Sequence, residues 1–424
     1  MKRLAVYLEM QGQFRSVGFI TGENFRDASF QYSEDYLKAD YARPISISLP
    51  LTDEAFTSER TRNFFEGLLP EGFSRRAVAN WIKTDEEDYL TILSKLGREC
   101  LGAVKILEES EAEELPGYDR LPLKRVKELA EEGATKSTQI LMETHLSLTG
   151  ASGKVGLYYD EKKDKWYLPK GEAPSNYIVK QSHVRLSKLV LNEQLCMMTA
   201  KELGIEIPES FIINIGKGTD SEVLFATKRY DRREESDKNI DGLSVPFRLH
   251  QEDFAQAMGI PASEKYEREK RGYLRRMFDV IRESALNPIA EQPELWKRIC
   301  FNFLIGNTDA HIKNYSLLYS SNLKGISLAP AYDIVSTRVY NMTDEMSIFI
   351  GDEISIDRMN RSTFIDAASE AGITERIAMK IFDEAADDFE NALSRAAEKL
   401  KDTGISGVKE LKSKILENGG YRNI

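Results

Sequence analysis

The pattern of apolar residues changes near residue 246, and this change restricts the folds open to the chain. Between residues 146 and 224, short apolar runs predict strands, including a hairpin around residues 160–164, with one inserted helix at residues 188–203 that ends at Gly204. After residue 246, segments with helical spacing predominate, including residues 374–400 and 406–417. A strand-rich half before a helix-rich half predicts an α+β fold with two lobes, the C-terminal lobe being all-helical.

A chain of 424 residues is too long for one small core, so we expect two or three domains or lobes. An acidic run at residues 108–114, followed by Pro116, marks the first boundary. The predicted domains are residues 1–107, 108–245 and 246–424. In the first of them we predict strands at residues 3–8, 17–20 and 45–49.

Composition excludes several functional classes. A net charge of −11 argues against a broad basic surface that binds nucleic acid unaided, so contact with DNA is expected only through a partner. The three cysteines lie far apart, which indicates reduced thiols and neither a disulfide framework nor a zinc site. The sequence has no secretory segment and no apolar span of about 18 residues, so we expect a cytoplasmic protein without membrane contact.

Two carboxylates and an amide in the C-terminal half fit the chemistry of phosphoryl transfer from ATP. Asp309 and Asn314 lie five residues apart, as in the catalytic loop of protein kinases, and Asp333 follows a later β-type run. Asp309 is the predicted base for the attacking hydroxyl, and Asn314 and Asp333 are the predicted Mg²⁺ ligands. On this motif alone the alternative stays open that Asn307 and Asp309 only cap or turn a helix end.

Two neighbouring residues are also candidates for nucleotide contact. His311 is placed to donate a hydrogen bond to a phosphate or, equally, to brace the loop by hydrogen bonding. Tyr332, directly before Asp333, is assigned to the same site. Because no second His or Cys stands at metal-ligand spacing, a histidine–zinc site is not expected.

The strand-rich half carries residues suited to holding phosphates. Thr149-Gly150-Ala151-Ser152-Gly153-Lys154 lies between two predicted strands, and its glycines allow backbone N–H groups to approach phosphate oxygens. A simple β-turn is the alternative. Lys180 at the end of a strand and Glu193 in the next helix match the lysine–glutamate pair of kinases, although two surface charges would look the same.

The segment Lys228-Arg229-Tyr230-Asp231 follows the last strand before the helical half. In a two-lobed kinase this is the hinge, where adenine meets backbone groups and a flat side chain. Lys228, Arg229 and Tyr230 are therefore assigned to the nucleotide site. The alternative is a basic turn in which Asp231 bridges the arginines.

Taken together, these blocks resemble the HipA family over nearly the full length of the chain. The resemblance rests on residues 42–51, 63–70, 96–104, 147–151, 178–180, 192–193, 200–204, 229–232, 306–314 and 331–334. It implies a kinase-like fold related to phosphoinositide kinases, with an additional N-terminal subdomain. It also implies a serine/threonine kinase that acts as the toxin of a bacterial toxin–antitoxin module.

The family resemblance further implies partners and self-modification. Family members phosphorylate a protein substrate, such as an aminoacyl-tRNA synthetase or another translation factor, and bind a HipB-like helix-turn-helix antitoxin. They autophosphorylate a phosphate-loop serine, for which Ser147 is the matching position. Ser152 stands where the family often has glutamine and offers a second phosphoacceptor.

The sequence therefore predicts an ATP- and Mg²⁺-dependent protein kinase, with two alternatives. The first is a catalytically silent kinase-fold co-repressor that binds an antitoxin on DNA. The presence of Lys180, Asp309, Asn314 and Asp333 argues against it, because a pseudokinase usually lacks at least one of these. The second is a small-molecule kinase, which the additional region 1–105 disfavours.

Overall fold

A computed structural model describes residues 2–108, 115–132, 154–182, 186–234 and 237–424. The chain divides into two compact units. The first unit comprises residues 1–183, 226–262 and 318–325. The second unit comprises residues 184–225, 263–317 and 326–424. The predicted domain limits at residues 107 and 245 stay predictions.

The first unit begins with a four-stranded antiparallel sheet. Its strands, in spatial order, are Ser29–Tyr32, Gln13–Gly22, Lys2–Met10 and Val104–Glu108. The first two strands of the chain meet at Gln11 and Gly12, which both have positive φ, as a tight hairpin turn requires. The strands predicted at residues 3–8 and 17–20 are confirmed.

The strand predicted at residues 45–49 is wrong. The segment forms only an isolated bridge between Ser46 and Leu49. Side chains take the place of a neighbouring strand: the Tyr32 hydroxyl bonds to the Ile45 N–H at 2.9 Å and the Leu49 carbonyl at 2.6 Å, and Glu252 accepts from the Ile47 N–H at 3.0 Å. These side chains satisfy the backbone N–H and C=O groups of the buried segment. The segment can therefore alternate between apolar and polar residues without pairing with a neighbouring strand.

A second sheet in the first unit, antiparallel across its first four strands, carries the predicted phosphate-binding lysines. Its strands, in spatial order, are Gly117–Leu121, Lys165–Lys170, Lys154–Asp160, Tyr177–Gln181 and the end of Val223–Lys228. The hairpin predicted around residues 160–164 is confirmed, with Asp160 opposite Lys165. Lys154 and Lys180 are cross-strand neighbours in this sheet.

Helices and short strands complete the first unit. Its helices are Glu34–Leu37, Ser58–Phe65, Gly72–Ile82, Tyr89–Leu96, Leu123–Glu132 and Phe254–Met258. Its short strands are Arg232–Arg233, Asn239–Ile240, Leu243–Ser244, Phe247–Arg248 and Gln251–Asp253.

The second unit is built mainly of helices. They are Leu189–Glu202, Tyr273–Ser284, Pro288–Ile305, Arg361–Ala371, Glu375–Lys401 and Val408–Asn418. An aromatic core fixes the long helices: the Trp296 Nε1–H donates to the Ala378 carbonyl at 3.0 Å, and the ring centroids of Phe364 and Phe382 lie 4.6 Å apart. This core holds the helix Pro288–Ile305, at whose end the candidate catalytic loop begins.

The prediction that the C-terminal region is all-helical is wrong in detail. Strands in or bordering the second unit are Ser210–Asn214, the beginning of Val223–Lys228, Ser316–Tyr319, Ile326–Leu328, Glu345–Ile350 and Glu353–Ser355. The four of these after residue 246 have only three to six residues, so they are too short for a clear period-two signal. One of them, Glu345–Ile350, supports the candidate catalytic loop through Ser347.

Candidate active site

The helix Pro288–Ile305 ends in a turn that starts the candidate catalytic loop. Gly306 has φ 72°, and its N–H bonds to the Asn302 and Phe303 carbonyls. A Cβ at Gly306 would lie 3.0 Å from atoms of Arg338 and Gly419, so both the backbone angle and the space require glycine. The chain therefore leaves the helix in one direction, toward Asp309.

The loop from Asp309 to Asn314 closes on itself. The Asn314 Nδ2 donates to the Asp309 carbonyl at 2.8 Å, and the His311 N–H donates to the same carbonyl at 2.8 Å. The Asp309 N–H in turn donates to Asn307 Oδ1 at 3.2 Å. The five-residue spacing thus brings the two predicted residues together, with the Asp309 side chain exposed.

Buried polar residues hold this loop from behind. The Thr308 N–H donates to the Thr337 hydroxyl at 2.8 Å, and the Ser347 hydroxyl donates to the Thr308 carbonyl at 2.7 Å. The Asn307 Nδ2 donates to Asn302 Oδ1 at 2.8 Å. Fully bonded buried networks of this kind fix a single arrangement, so Asp309 is presented on a rigid support.

Asp333 lies on a segment tied to the same loop. The Tyr332 hydroxyl donates to the Lys313 carbonyl at 2.9 Å and lies 2.6 Å from the Ser316 hydroxyl. A small cavity is lined by both Asn314 and Tyr332. Asp333 itself has φ 56°, a left-handed conformation that Asp tolerates better than most residues and that is often found at functional sites.

Tyr266 is a site residue that sequence reasoning missed. Its hydroxyl donates to Asp309 Oδ1 at 2.5 Å, and its ring meets the His311 ring edge-on with centroids 5.2 Å apart. It precedes Asp309 by 43 residues, and no motif signals the contact. His311 is buried, and whether its side chain contacts a phosphate or braces the loop by hydrogen bonding stays a prediction.

The predicted phosphate-binding residues are only partly described. Ser147 and Thr149 to Gly153 lie outside the described residues. Lys180 is buried in the first unit, and Glu193 is buried in the helix Leu189–Glu202 of the second unit. The ion pair predicted between these two stays a prediction.

The predicted hinge contains the basic turn that was the alternative there. The Asp231 carboxylate accepts a hydrogen bond from Arg229 at 2.7 Å and forms an ion pair with Arg232 at 3.0 Å. The Arg229 backbone N–H bonds to the Asn176 carbonyl at 2.9 Å. Lys228 pairs with two glutamates at the surface, Glu161 and Glu234, and the Tyr230 hydroxyl bonds to Gln251. Nucleotide contact by Lys228, Arg229 and Tyr230 stays a prediction.

This turn is part of a larger buried ion network. The network consists of three carboxylates and three guanidinium groups, all buried, from Glu9, Glu99, Asp231, Arg229, Arg232 and Arg248. Glu99 bonds to all three arginines, at 3.1, 2.8 and 2.5 Å. Burial opposes its ionisation, but the arginines outweigh burial and lower its pKa to about 2.

Two further observations bear on ligands and membranes. In the described part of the chain, no cluster of three or more His, Cys, Asp or Glu residues has the arrangement of a metal site. A Mg²⁺ site built with nucleotide phosphates needs only one or two protein carboxylates, so this finding is compatible with the predicted ligands. Among the described helices, none has the length and apolar character that crossing a bilayer requires.

Comparisons with known proteins identify the family. Residues 6–107 match the family described as HipA N-terminal domain. Residues 146–393, more than half of the chain, match the HipA-like C-terminal domain. The chain belongs to the HipA family. The resemblance seen in the sequence is thereby confirmed.

Relatives of this HipA-family chain are named as kinases. A Sinorhizobium fredii protein described as a candidate kinase, Y4mE, is 29% identical over 403 residues, which are 93% of each chain. The serine/threonine-protein kinase toxin HipA of Shewanella oneidensis is 28% identical over 358 residues, 79% of this chain and 77% of that protein.

A solved structure shows the same fold. The Shewanella oneidensis MR-1 HipA, in a complex with HipB and its operator DNA, superposes with a TM-score of 0.76. The superposition covers 98% of this chain and 96% of that chain, at 22% sequence identity. The predicted α+β, kinase-like fold is therefore confirmed.

Proposed function

We propose that this chain is an ATP-dependent protein serine/threonine kinase and the toxin of a bacterial toxin–antitoxin system. The observation that best supports the proposal is the closed loop in which the Asn314 amide bonds to the Asp309 carbonyl at 2.8 Å. It brings a carboxylate and an amide together at the kinase spacing, on a support of buried hydrogen bonds. Membership of the HipA family is further support for the proposal.

In the proposed reaction, Asp309 acts as the base. Its carboxylate accepts the proton of a serine or threonine hydroxyl while the hydroxyl oxygen bonds to the γ-phosphorus of ATP. The bond between that phosphorus and the bridging oxygen breaks, and ADP leaves. Because Asp309 is exposed and its loop is fixed, it can meet an incoming side chain without rearranging its own support.

The Asn314 and Asp333 side chains fit a Mg²⁺ site. Since the Asn314 Nδ2 already donates to the Asp309 carbonyl, the oxygen Oδ1 is the atom left to act as a ligand. Asp333 supplies a carboxylate, and oxygen ligands are those that Mg²⁺ prefers. When bound, the ion would neutralise charge on the phosphates.

The remaining nucleotide contacts are assigned from the sequence. Lys180, oriented by Glu193, would contact the phosphates, and residues 149–154 would cover them. Lys228, Arg229 and Tyr230 would lie near the adenine, with His311 and Tyr332 near the phosphates. Self-phosphorylation of Ser147, or of Ser152 as the alternative, would add negative charge to the phosphate loop and so inactivate the enzyme.

The proposed partners are a protein substrate and an antitoxin. The Shewanella relative was solved with HipB and operator DNA, which supports a HipB-like helix-turn-helix partner for this chain. With a net charge of −11, DNA contact would come through that partner. The protein substrate would be a translation component, such as an aminoacyl-tRNA synthetase.

Phosphate transfer tests the proposed reaction directly. Wild-type protein, Asp309→Gln and Asp333→Ala are incubated with Mg²⁺–ATP, and incorporated phosphate is measured by intact mass and mapped to its site. Each variant should lose at least about 100-fold in rate, because each removes a charge that the transfer requires. Asp387→Ala, an exposed carboxylate on the helix Glu375–Lys401, is the matched control and should behave as wild type.

Growth on expression separates the toxin from a silent co-repressor. A kinase toxin should arrest growth. The Asp309→Gln variant should not arrest growth but should still bind the antitoxin. Arrest of equal strength by both proteins, or near-wild-type transfer by either site variant, would contradict the proposal.

A further inference from the structure

Tyr266 places a hydroxyl on the proposed catalytic base. The Tyr266 oxygen lies 2.5 Å from Asp309 Oδ1, and the hydroxyl is the donor. A kinase base receives its substrate in the same way, through an acceptor hydroxyl within hydrogen-bond reach of the carboxylate. In this structure a side chain of the protein itself therefore has the position that the proposed reaction gives to a serine or threonine.

The segment that carries Tyr266 is held in place by its neighbour. Glu267 is 1% exposed, and its Oε1 accepts from the Arg271 N–H at 2.7 Å and the Tyr273 N–H at 3.0 Å. Its Oε2 accepts from the Phe349 N–H at 3.0 Å. A buried carboxylate that collects three backbone donors fixes the local chain, so Tyr266 starts from a defined position.

The same strand supports both Tyr266 and Asp309. The Glu267 N–H donates to the Ser347 carbonyl at 2.8 Å, and the Ser347 hydroxyl donates to the Thr308 carbonyl at 2.7 Å. Ser347 lies in the strand Glu345–Ile350. One short chain of buried hydrogen bonds therefore links the backbone next to Tyr266 with the backbone next to Asp309.

The Tyr266 side chain is nevertheless accessible. It is 40% exposed, its ring meets the His311 ring edge-on, and the Lys265 ammonium lies 5.3 Å from the ring centroid. A side chain with this exposure can rotate away without opening a core. The backbone is fixed while the side chain can rotate away from Asp309, so a substrate hydroxyl can take the place of the Tyr266 hydroxyl.

We infer that Tyr266, Asp309 and His311 form the acceptor subsite of the kinase, and that the Tyr266 hydroxyl competes with the substrate hydroxyl for Asp309. This inference rests on the proposed function. Tyr266 is a specificity-determining residue here: an acceptor must replace its hydrogen bond before phosphate transfer can begin. Acceptors that bind well enough to displace it are phosphorylated, and weakly bound hydroxyls, including water, are excluded.

Tyr266→Phe removes the competing hydroxyl and keeps the ring against His311. A hydrogen bond to a charged group contributes enough that the KM for the acceptor protein should fall by roughly tenfold. The KM for ATP should not change, because the ring and the loop remain. Hydrolysis of ATP without acceptor should rise, since water gains access to Asp309.

The matched control is Tyr159→Phe. The Tyr159 hydroxyl also donates to an exposed carboxylate, Asp164 Oδ1, at 2.7 Å, but in the first unit. Tyr159→Phe should leave the KM for the acceptor protein, the KM for ATP and the rate of ATP hydrolysis without acceptor unchanged. The probe is dephosphorylated casein with Mg²⁺–ATP, and thermal unfolding of each variant checks that the fold is retained.

The outcomes separate the two proposals. A lower KM for casein with an unchanged KM for ATP supports the acceptor subsite. Transfer by wild type and Tyr266→Phe with equal casein KM overturns the subsite and leaves the kinase intact, as does a phosphate mapped to Tyr266 itself. If neither protein transfers phosphate to casein or to itself, the proposed function fails and the subsite fails with it.

Discussion

Replacing Glu99 by glutamine should destabilise the first unit strongly. Glu99 is 2% exposed, and its two oxygens serve different partners. Oε1 accepts from Arg229 and Arg232, at 3.1 and 2.8 Å, and Oε2 accepts from Arg248 at 2.5 Å. A glutamine keeps one oxygen and turns an NH₂ group toward guanidinium donors, so at least one arginine loses its hydrogen bond to residue 99, and the network loses one of its three negative charges.

The magnitude follows from the ionisation of this carboxyl. The network lowers the pKa of Glu99 from 4.5 to about 2, which corresponds to roughly 3 kcal/mol in favour of the ionised folded state at neutral pH. Removing one partner from a buried ion pair costs about 3–5 kcal/mol in general. Both considerations give a loss of stability, and we expect Glu99→Gln to lower the free energy of unfolding by about 3 kcal/mol at pH 7.

The pH dependence has a definite sign. Because the folded-state pKa is depressed, the contribution is fully present above pH 4.5 and is lost as the pH falls toward 2. The difference between wild type and Glu99→Gln should therefore shrink below pH 4.5. Urea unfolding followed by tryptophan fluorescence measures it, since Trp166 is buried in the first unit and Trp296 in the second.

An exposed ion pair provides the control. Asp383 pairs with Arg361 at 2.7 Å, and both side chains are nearly half exposed. Asp383→Asn should cost less than about 1 kcal/mol, because solvent screens the pair. A cost of less than about 1 kcal/mol for Glu99→Gln as well, or a cost that is the same at pH 7 and pH 3, would refute the reasoning.

Two other predictions concern buried titratable groups. Burial raises the pKa of Glu252 to about 7, so the folded protein holds a proton that the unfolded chain releases near pH 4.5, and stability should decline as the pH rises between these values. Glu252→Gln should remove this decline. Between pH 5 and pH 8, urea unfolding should therefore show the free energy of unfolding of the variant rising by about 3 kcal/mol relative to that of wild type. The same difference between variant and wild type at both pH values would contradict this. Burial raises the pKa of all three cysteine thiols, to about 12 for two of them, so a thiol-specific reagent should label none in the native protein and all three after unfolding. Labelling before unfolding would disprove that these thiols are shielded.

Local patterns in the sequence predicted the centre of the candidate site. The spacing of Asp309 and Asn314 is set within one loop, so the contact between them follows from a few neighbouring residues. The hairpin around residues 160–164 and the helix end at Gly204 were predictable for the same reason. In each case the physical cause, a turn or a cap, lies within about ten residues of its effect.

Contacts between distant residues were not predictable in this way. Tyr266 reaches Asp309 across 43 residues, and Glu99 reaches Arg229 across 130. Both contacts depend on how strands and loops pack, and no periodicity encodes this packing. The error at residues 45–49 has the same origin, because Tyr32 and Glu252 satisfy that segment from elsewhere in the first unit.

The ion network also bears on the role of the N-terminal region. Glu9 and Glu99 come from the segment that matches the HipA N-terminal domain, whereas Arg229, Arg232 and Arg248 lie beyond it. Without these two glutamates, the network would keep one carboxylate, Asp231, for three buried guanidinium groups, and Arg248 would lose its ion pairs with Glu9 and Glu99. Arginine does not lose its charge in proteins. Residues 6–107 therefore supply two of the carboxylates that balance the buried arginines of the first unit. Glu99 from this region pairs with Arg229 and Arg232 of the predicted hinge segment. A kinase site in this chain would depend on that region for stability, even though the catalytic residues lie elsewhere in the sequence.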